Sequence, residues 1–155
     1  MIVIADTTPV NYLVLIGEID LLSALYGRVI LPATVREELL RLRAPEPVRA
    51  WAKEPPAWLE IRSPSALPDA SLDRLNPGER DAIGLAEELA ADLVILDDLQ
   101  GRREAERRRL PVIGTLGVLE EAADRGLLDL QSAIERLVKT SFHVSPEILK
   151  GLLGS

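Results

Sequence analysis

The residues best placed to do chemistry are aspartates that follow two short apolar segments. Asp6 follows the segment 2–5, and Asp97 and Asp98 follow the segment 93–96. In an open parallel sheet, ligands bind beyond the carboxyl ends of the strands. If these segments are neighbouring strands, their carboxylates share one crevice. Aspartate after one strand is common turn chemistry, whereas aspartate after two strands indicates a shared site more strongly.

Helical periodicity separates two adjacent glutamates in the predicted third helix. The apolar stripe of this helix consists of Val35, Leu39 and Leu42. At about 100° per residue, Glu38 lies about 60° from Val35, on the flank of the stripe, and Glu37 lies on the far side. Glu37 also completes a capping box with Thr34, which gives it a structural role. Glu38 is therefore either a ligand or a residue at the edge of an amphipathic helix.

The same test applies to the predicted helix that opens at Asn76. Its apolar face includes Ile83, and Glu79 falls about 40° from that residue, whereas Asp81 points about 160° away. An acid on a buried face needs a partner. Asn76 can supply one, because Asn76 and Glu79 fit an N-cap with an acidic third position. Glu79 is therefore interpreted either as part of a cap or as a ligand.

Several acids in one crevice would repel one another unless a cation neutralised them. A divalent metal removes that cost, activates water and stabilises the charge that develops on a phosphate. The sequence has no cysteine and a single histidine, so any metal would be held by oxygen, which favours Mg²⁺, Mn²⁺ or Ca²⁺. An acidic, all-oxygen site of this kind indicates phosphoryl chemistry.

The elements that must position these acids alternate between strands and helices. The predicted strands lie at 2–5, 28–31, 58–61 (an edge strand), 93–96 and 111–113. The predicted helices lie near 8–15 (with Thr8 as N-cap), 19–25, 32–42, 76–90, 99–108, 115–124, 129–139 and 146–153. The strands are continuous apolar runs, which is typical of an α/β fold with a buried parallel sheet. We expect a three-layer α/β/α arrangement around about five strands, with the proline-rich stretch 44–73 as its least regular part.

Composition limits the class of protein. The 155 residues suit one domain, which we expect to span 1–155. The net charge of -7 argues mildly against a nucleic-acid binder, but a carboxylate site would itself raise the negative count. The start reaches Asp6 too soon for a signal peptide, and no apolar run is long enough to span a bilayer. We therefore expect a cytoplasmic protein without membrane association.

Four motifs follow one another along the chain: IADTTPV with Asp6, VREEL with Glu38, NPGERDAIGLA with Glu79, and ILDDLQGRREA followed by VIGTLGVL. In this order they resemble the PIN-domain family, in particular a prokaryotic branch related to toxin–antitoxin ribonucleases of the VapC type. Each motif is weak alone, but the ordered set is fairly specific and runs from Met1 to about Gly126. The resemblance implies a Rossmann-like sheet whose acids bind one or two Mg²⁺ or Mn²⁺ ions and hydrolyse phosphodiester bonds of single-stranded RNA.

The resemblance also implies roles for individual residues and partners. By motif position, the acidic places fall on Asp6, Glu38, Glu79 and Asp98. Asp97 is the close alternative or an auxiliary ligand, and Asp81 is the fallback if the helix phase is wrong. Thr115 stands where such families often place a small hydroxyl near the metal, and Thr7 is a second auxiliary residue. Many relatives are homodimers, and VapC-like proteins are inhibited by a partner antitoxin. The alternative is a non-catalytic PIN-like module that binds RNA or a protein.

Five arginines follow the acidic turn and allow two interpretations. They are Arg102, Arg103, Arg107, Arg108 and Arg109. They either contact the RNA phosphates or form a solvated helix face paired with Glu104 and Glu106. We favour the solvated face for most of them, and take Arg102 and Arg103 as the substrate-binding candidates.

Three further side chains receive mainly structural interpretations. His143 has no evident acidic partner nearby in the sequence, which argues against a catalytic role. Trp51 and Trp58 could stack RNA bases, but packing under the proline-rich stretch or a dimer contact is the favoured interpretation.

Overall fold

A parallel sheet forms the centre of the molecule. The computed structural model describes residues 1–67 and 69–152, and within them the sheet has five strands in the order β3-β2-β1-β4-β5. The strands are β1 (Val3–Ala5), β2 (Val29–Pro32), β3 (Leu59–Arg62), β4 (Leu93–Ile95) and β5 (Val112–Ile113). All four pairings are parallel. The predicted parallel sheet, with its edge strand near 58–61, is confirmed.

Helices cover both faces of this sheet. They are α1 (Thr7–Leu15), α2 (Leu21–Tyr26), α3 (Ala33–Leu39), α4 (Glu46–Lys53), α5 (Pro77–Leu89), α6 (Leu99–Arg107), α7 (Thr115–Asp124), α8 (Leu130–Val138) and α9 (Pro146–Leu152). Val3 and Ala5 pack into one apolar cluster with α1, α7 and α8, whereas Ile4 packs into a second cluster with α5. Because alternate residues of β1 enter opposite cores, the three-layer α/β/α arrangement is confirmed. Among the described helices, none combines the length and hydropathy needed to cross a bilayer.

Strand register brings the first two acidic turns together. Ala5 of β1 pairs with Ile95 of β4, and the backbone N–H of Asp6 donates to the Ile95 carbonyl at 2.9 Å. The chain leaves β4 one residue later, through the buried Leu96 and into Asp97. Both acidic turns therefore emerge side by side from the middle of the sheet.

The structure corrects the predicted start of the first helix. The predicted N-cap at Thr8 is wrong, because β1 ends at Ala5 and α1 begins at Thr7, which leaves Asp6 as the N-cap. Pro9 then falls in the first helical turn, where its missing N–H costs no hydrogen bond.

The proline-rich stretch contains a helix, α4, that the sequence pattern did not predict. Pro47 lies in the first turn of α4, where proline is tolerated. Val48 and Ala52 follow at i, i+4 spacing and are buried against the core. The density of proline was misleading because proline disrupts the interior of a helix and not its first turn.

Candidate metal centre

Asp6 lies at the middle of the carboxyl edge of the sheet, because β1 has a neighbouring strand on each side. The side chain is buried, and its Oδ1 atom has no hydrogen-bond partner within the described residues. Burial raises the pKa of Asp6 to about 7, and the carboxylates of Glu79, Glu38 and Asp97 add to this rise. The backbone N–H of Thr7 opposes it. A buried, unpartnered oxygen is costly for the fold, which favours a ligand at this position.

Glu38 lies near the end of α3, and its charge acts on Asp6. One carboxylate oxygen of Glu38 accepts a hydrogen bond from the backbone N–H of Gly78 at 3.2 Å, and the other accepts one from the hydroxyl of Thr7. A Cβ atom at position 78 would lie 2.9 Å from both carboxylate oxygens, so glycine leaves room for the carboxylate. The structure thus places Glu38 at the site, whereas Glu37 is exposed.

Glu79 belongs both to a helix cap and to the acidic site. The side-chain oxygen of Asn76 accepts a hydrogen bond from the Glu79 backbone N–H at 2.9 Å, and its amide group donates to Glu79 Oε1 at 3.0 Å. Burial, followed by the negative charges of Asp98 and Glu38, raises the pKa of Glu79 to about 7. The two interpretations of Glu79 are therefore compatible, since the cap engages a single carboxylate oxygen.

The two aspartates after β4 have different surroundings. Asp97 accepts hydrogen bonds from the backbone N–H of Thr115 at 2.8 Å and from the Thr115 hydroxyl. Burial raises the pKa of Asp97, while the Thr115 hydrogen bonds and the positive charge of Arg102 lower it. Asp98 is exposed and caps α6 by accepting from the backbone N–H of Gly101 at 3.1 Å. Thr115, which is fully buried, thus fixes the orientation of Asp97.

The arginines near this site differ in their contacts. Arg102 Nη1 and Asp97 Oδ1 both border the space beside Gly114, where a Cβ atom would meet them at 2.8 Å and 2.7 Å, and the charge of Arg102 acts on Asp97 without an ion pair between the two. Arg103 is exposed and lines a separate groove of about 170 Å³. Two others form ion pairs within the protein, as the solvated-face interpretation expects. They are Arg107, which pairs with Glu104, and Arg108, which pairs with Glu104, Glu87 and Asp69.

Asp81 is buried away from these acids. Its Oδ2 accepts a hydrogen bond from the Thr34 hydroxyl at 2.9 Å, and its Oδ1 lies 3.2 Å from Arg80 Nε. The predicted capping box between Thr34 and Glu37 is therefore wrong. Because β2 runs through Pro32 directly into α3, Thr34 lies inside the first turn and its side chain points towards α5.

His143 and the two tryptophans also have defined places. His143 is exposed and lines a cleft with Glu79, Asp97 and Asp98, a neighbourhood that no motif around His143 indicates. Trp51 and Trp58 pack against each other, with ring centroids 6.3 Å apart, and lie half-buried on the core. Their contacts support the packing interpretation.

The acids lie near one another, but in the conformation described they do not form a complete metal-binding site. Across residues 1–67 and 69–152, no three acidic or histidine side chains are gathered closely enough to hold a metal ion. Glu38 is turned towards Gly78, Asp97 towards Thr115, and Asp98 towards the start of α6. The donor set nevertheless fits a hard divalent cation, because it consists of carboxylate oxygens around the unpartnered Oδ1 of Asp6.

Comparison with known proteins identifies the family. The model of the family DUF3368, described as a PIN domain, matches residues 2–155. Among solved structures, a PilT N-terminus domain protein, SSO1118, from the hyperthermophilic archaeon Sulfolobus solfataricus P2 is similar in fold, with a TM-score of 0.53 and 15% identity over 94% of this chain and 100% of that chain. A search of curated proteins gave no match. Since the family model spans nearly the whole sequence, the chain belongs to the PIN-domain family.

Proposed function

We propose that this protein is a metal-dependent endoribonuclease that hydrolyses phosphodiester bonds of single-stranded RNA. PIN domains are generally nucleases, which supports hydrolysis of a nucleic acid. The observation that carries the proposal is the buried Asp6, whose Oδ1 lacks a partner within the described residues and whose charge faces three other carboxylates. Carboxylates that lie this close together can all stay ionised when a divalent cation is bound between them.

Each acid has a proposed role in this centre. Asp6, Glu38, Glu79 and Asp98 would hold one or two Mg²⁺ or Mn²⁺ ions, with Asp97 as an auxiliary ligand. The bound metal would supply an activated water and stabilise charge on the phosphate. Burial raises the pKa values of Asp6 and Glu79 to about 7, so metal binding near neutral pH must displace protons held by these carboxyls.

Two threonines would act on the ligands and not on the substrate. The Thr7 hydroxyl donates to Glu38, and the Thr115 hydroxyl donates to Asp97. Hydrogen bonds of this kind fix the orientation of a ligating carboxylate, and their loss commonly weakens metal affinity by about 10- to 100-fold. Thr7 and Thr115 therefore serve as positioning residues.

A groove beside Glu38 is suited to a polyanionic substrate, which supports the proposal. It has a volume of about 430 Å³, and its lining includes Thr7 and Glu38 together with Arg41 and Arg43. Both arginines are exposed, and neither forms an ion pair with any residue in the described part of the chain. Guanidinium groups in such a groove can contact phosphates of a strand that enters the acidic centre. Arg102 and Arg103 remain predictions for substrate contact.

Cleavage of labelled single-stranded RNA in the presence of Mn²⁺ tests this proposal. The wild type should cleave, addition of a chelator should stop cleavage, and Asp6→Asn should reduce the rate by at least 100-fold, roughly the loss expected when catalytic electrostatics are removed. Asp81→Asn is the matched control, because Asp81 is a buried acid outside the centre. RNA binding without Mn²⁺-dependent cleavage would instead identify a non-catalytic binding module.

A toxin role is a finer form of the same proposal. It requires that expression of the wild type arrests growth and that Asp6→Asn does not. It also requires an inhibitory protein that binds this chain. The homodimer expected from the resemblance is measured separately by the mass of the purified protein in solution.

A further inference from the structure

The acidic centre opens into a cleft whose lining is partly aromatic. The cleft has a volume of about 500 Å³ and includes Glu79, Asp97 and Asp98. The same cleft is lined by three ring side chains, which we call the ring wall. They are Tyr12, Phe142 and His143. A volume in the range of about 300–1,000 Å³ is typical of clefts that hold small-molecule-sized groups.

Ring side chains are scarce in this chain, which makes their concentration here informative. The sequence contains two Trp, two Tyr, one Phe and one His, and three of these six residues form the ring wall. Trp51 and Trp58 pack against each other, and Tyr26 is buried with its hydroxyl bound to Glu121 at 2.8 Å. The remaining rings therefore all meet at the cleft that adjoins the acids.

The ring wall is held together by contacts between distant parts of the chain. The rings of Tyr12 and Phe142 meet edge to face, with centroids 5.0 Å apart and an interplanar angle of 78°. The Tyr12 hydroxyl lies 2.7 Å from Ser141 Oγ, and the backbone N–H of Phe142 donates to Thr140 Oγ1 at 3.1 Å. These contacts fix the segment after α8 against α1, while His143 remains exposed to the cleft.

We propose that the ring wall stacks a nucleobase of the RNA beside the phosphate held at the acidic centre. This inference rests on the proposed ribonuclease function. Every nucleobase has a flat π-face, so stacking on aromatic side chains supports binding of single strands without strict sequence preference. The stacking role considered for the tryptophans in the sequence thus passes to His143, the exposed ring of the wall, together with the half-buried Phe142, which packs on the core and against Tyr12.

Binding of a fluorescent single-stranded RNA, measured by anisotropy with Ca²⁺ in place of Mn²⁺, tests the ring wall without requiring cleavage. His143→Ala and Phe142→Ala should each weaken binding by about tenfold, which is within the range for loss of one stacked base. His143→Phe should retain binding, because it keeps a ring. Leu127→Ala, an exposed apolar residue outside the cleft, is the control and should bind as the wild type does.

An abasic oligonucleotide series distinguishes stacking from a structural effect. Removal of one base at the stacked position should weaken binding by the wild type, and His143→Ala should then add little further loss. The proposal is overturned if His143→Ala weakens binding to intact and to abasic strands equally. It is also overturned if His143→Ala and Phe142→Ala both bind RNA as the wild type does. A protein that binds RNA through the ring wall but does not cleave with Mn²⁺ would instead refute the ribonuclease function and leave the stacking site established.

Discussion

Replacing Asp6 by asparagine should stabilise the metal-free protein at neutral and alkaline pH. The pKa of Asp6 is raised from 3.8 to about 7, mainly by burial. Between these two values the folded state keeps a proton on Asp6 that the unfolded state has lost. The stability of the wild type therefore falls as the pH rises through this window, and the loss is complete above the folded pKa.

The size of the effect follows from the shift. A rise of about three pKa units corresponds to a loss of roughly 4 kcal/mol in the free energy of unfolding. The pKa of Glu79 is also raised to about 7, and the charge of Glu79 acts on Asp6. The two carboxyls therefore titrate together, and their separate losses of stability do not add. Asparagine keeps the shape of the side chain and removes its charge. Asp6→Asn should regain part of this energy and raise the melting temperature by roughly 5–10 °C.

Thermal unfolding without metal, at about pH 4 and about pH 8, measures this difference. The gain from Asp6→Asn should be present at the higher pH and nearly absent at the lower one. Asp81→Asn is the matched control and should not gain stability at either pH, because Asp81 is a buried acid that already has partners in Thr34 and Arg80. The reasoning is refuted if Asp6→Asn is less stable than the wild type at about pH 8.

Three further substitutions separate the site from the fold. Gly78→Ala should displace the Glu38 carboxylate, since a Cβ atom would lie 2.9 Å from both its oxygens. Mn²⁺ binding measured by calorimetry should then weaken by about tenfold, while the better helix propensity of alanine keeps the melting temperature at or above that of the wild type. Thr115→Val removes the hydroxyl that donates to Asp97, so it should weaken Mn²⁺ affinity by about 10- to 100-fold; unchanged affinity would exclude a positioning role. Arg108→Ala should lower the free energy of unfolding in a denaturant titration by about 1–2 kcal/mol, because three carboxylates surround this arginine, and it should leave Mn²⁺ affinity unchanged.

The strand-end acids could be predicted because their positions depend on local pattern. An apolar run buried on both faces identifies a strand of a parallel sheet, and the residue after it must lie at the ligand-binding edge. Asp6 and Asp97 follow such runs and do lie together. Periodicity also placed Glu38 beside them, because α3 is amphipathic and its phase relative to the core is set by Val35 and Leu39. Leu42, which the prediction counted in the same apolar stripe, lies beyond the end of α3 and is exposed.

Other features depend on contacts between distant segments, which local pattern does not contain. Asp81 was expected to lie on the far side of α5 from Ile83, but it is buried because α3 brings the Thr34 hydroxyl to it. The same limit applies to the ring wall, since Phe142 meets Tyr12 only after α8 has returned the chain to the sheet edge. The cleft that contains His143 follows from this return and not from any motif around it.

The most direct test of the central claim is a calorimetric titration of Mn²⁺ into the wild type and Asp6→Asn near neutral pH. The wild type should bind one or two ions and release protons, seen as a dependence of the measured heat on the ionisation enthalpy of the buffer, because burial holds the pKa values of Asp6 and Glu79 near 7. Asp6→Asn should show no such binding. A wild type that gives no Mn²⁺-dependent heat, or an Asp6→Asn variant that binds Mn²⁺ as tightly as the wild type, would contradict the assignment of this acidic cluster as a metal centre.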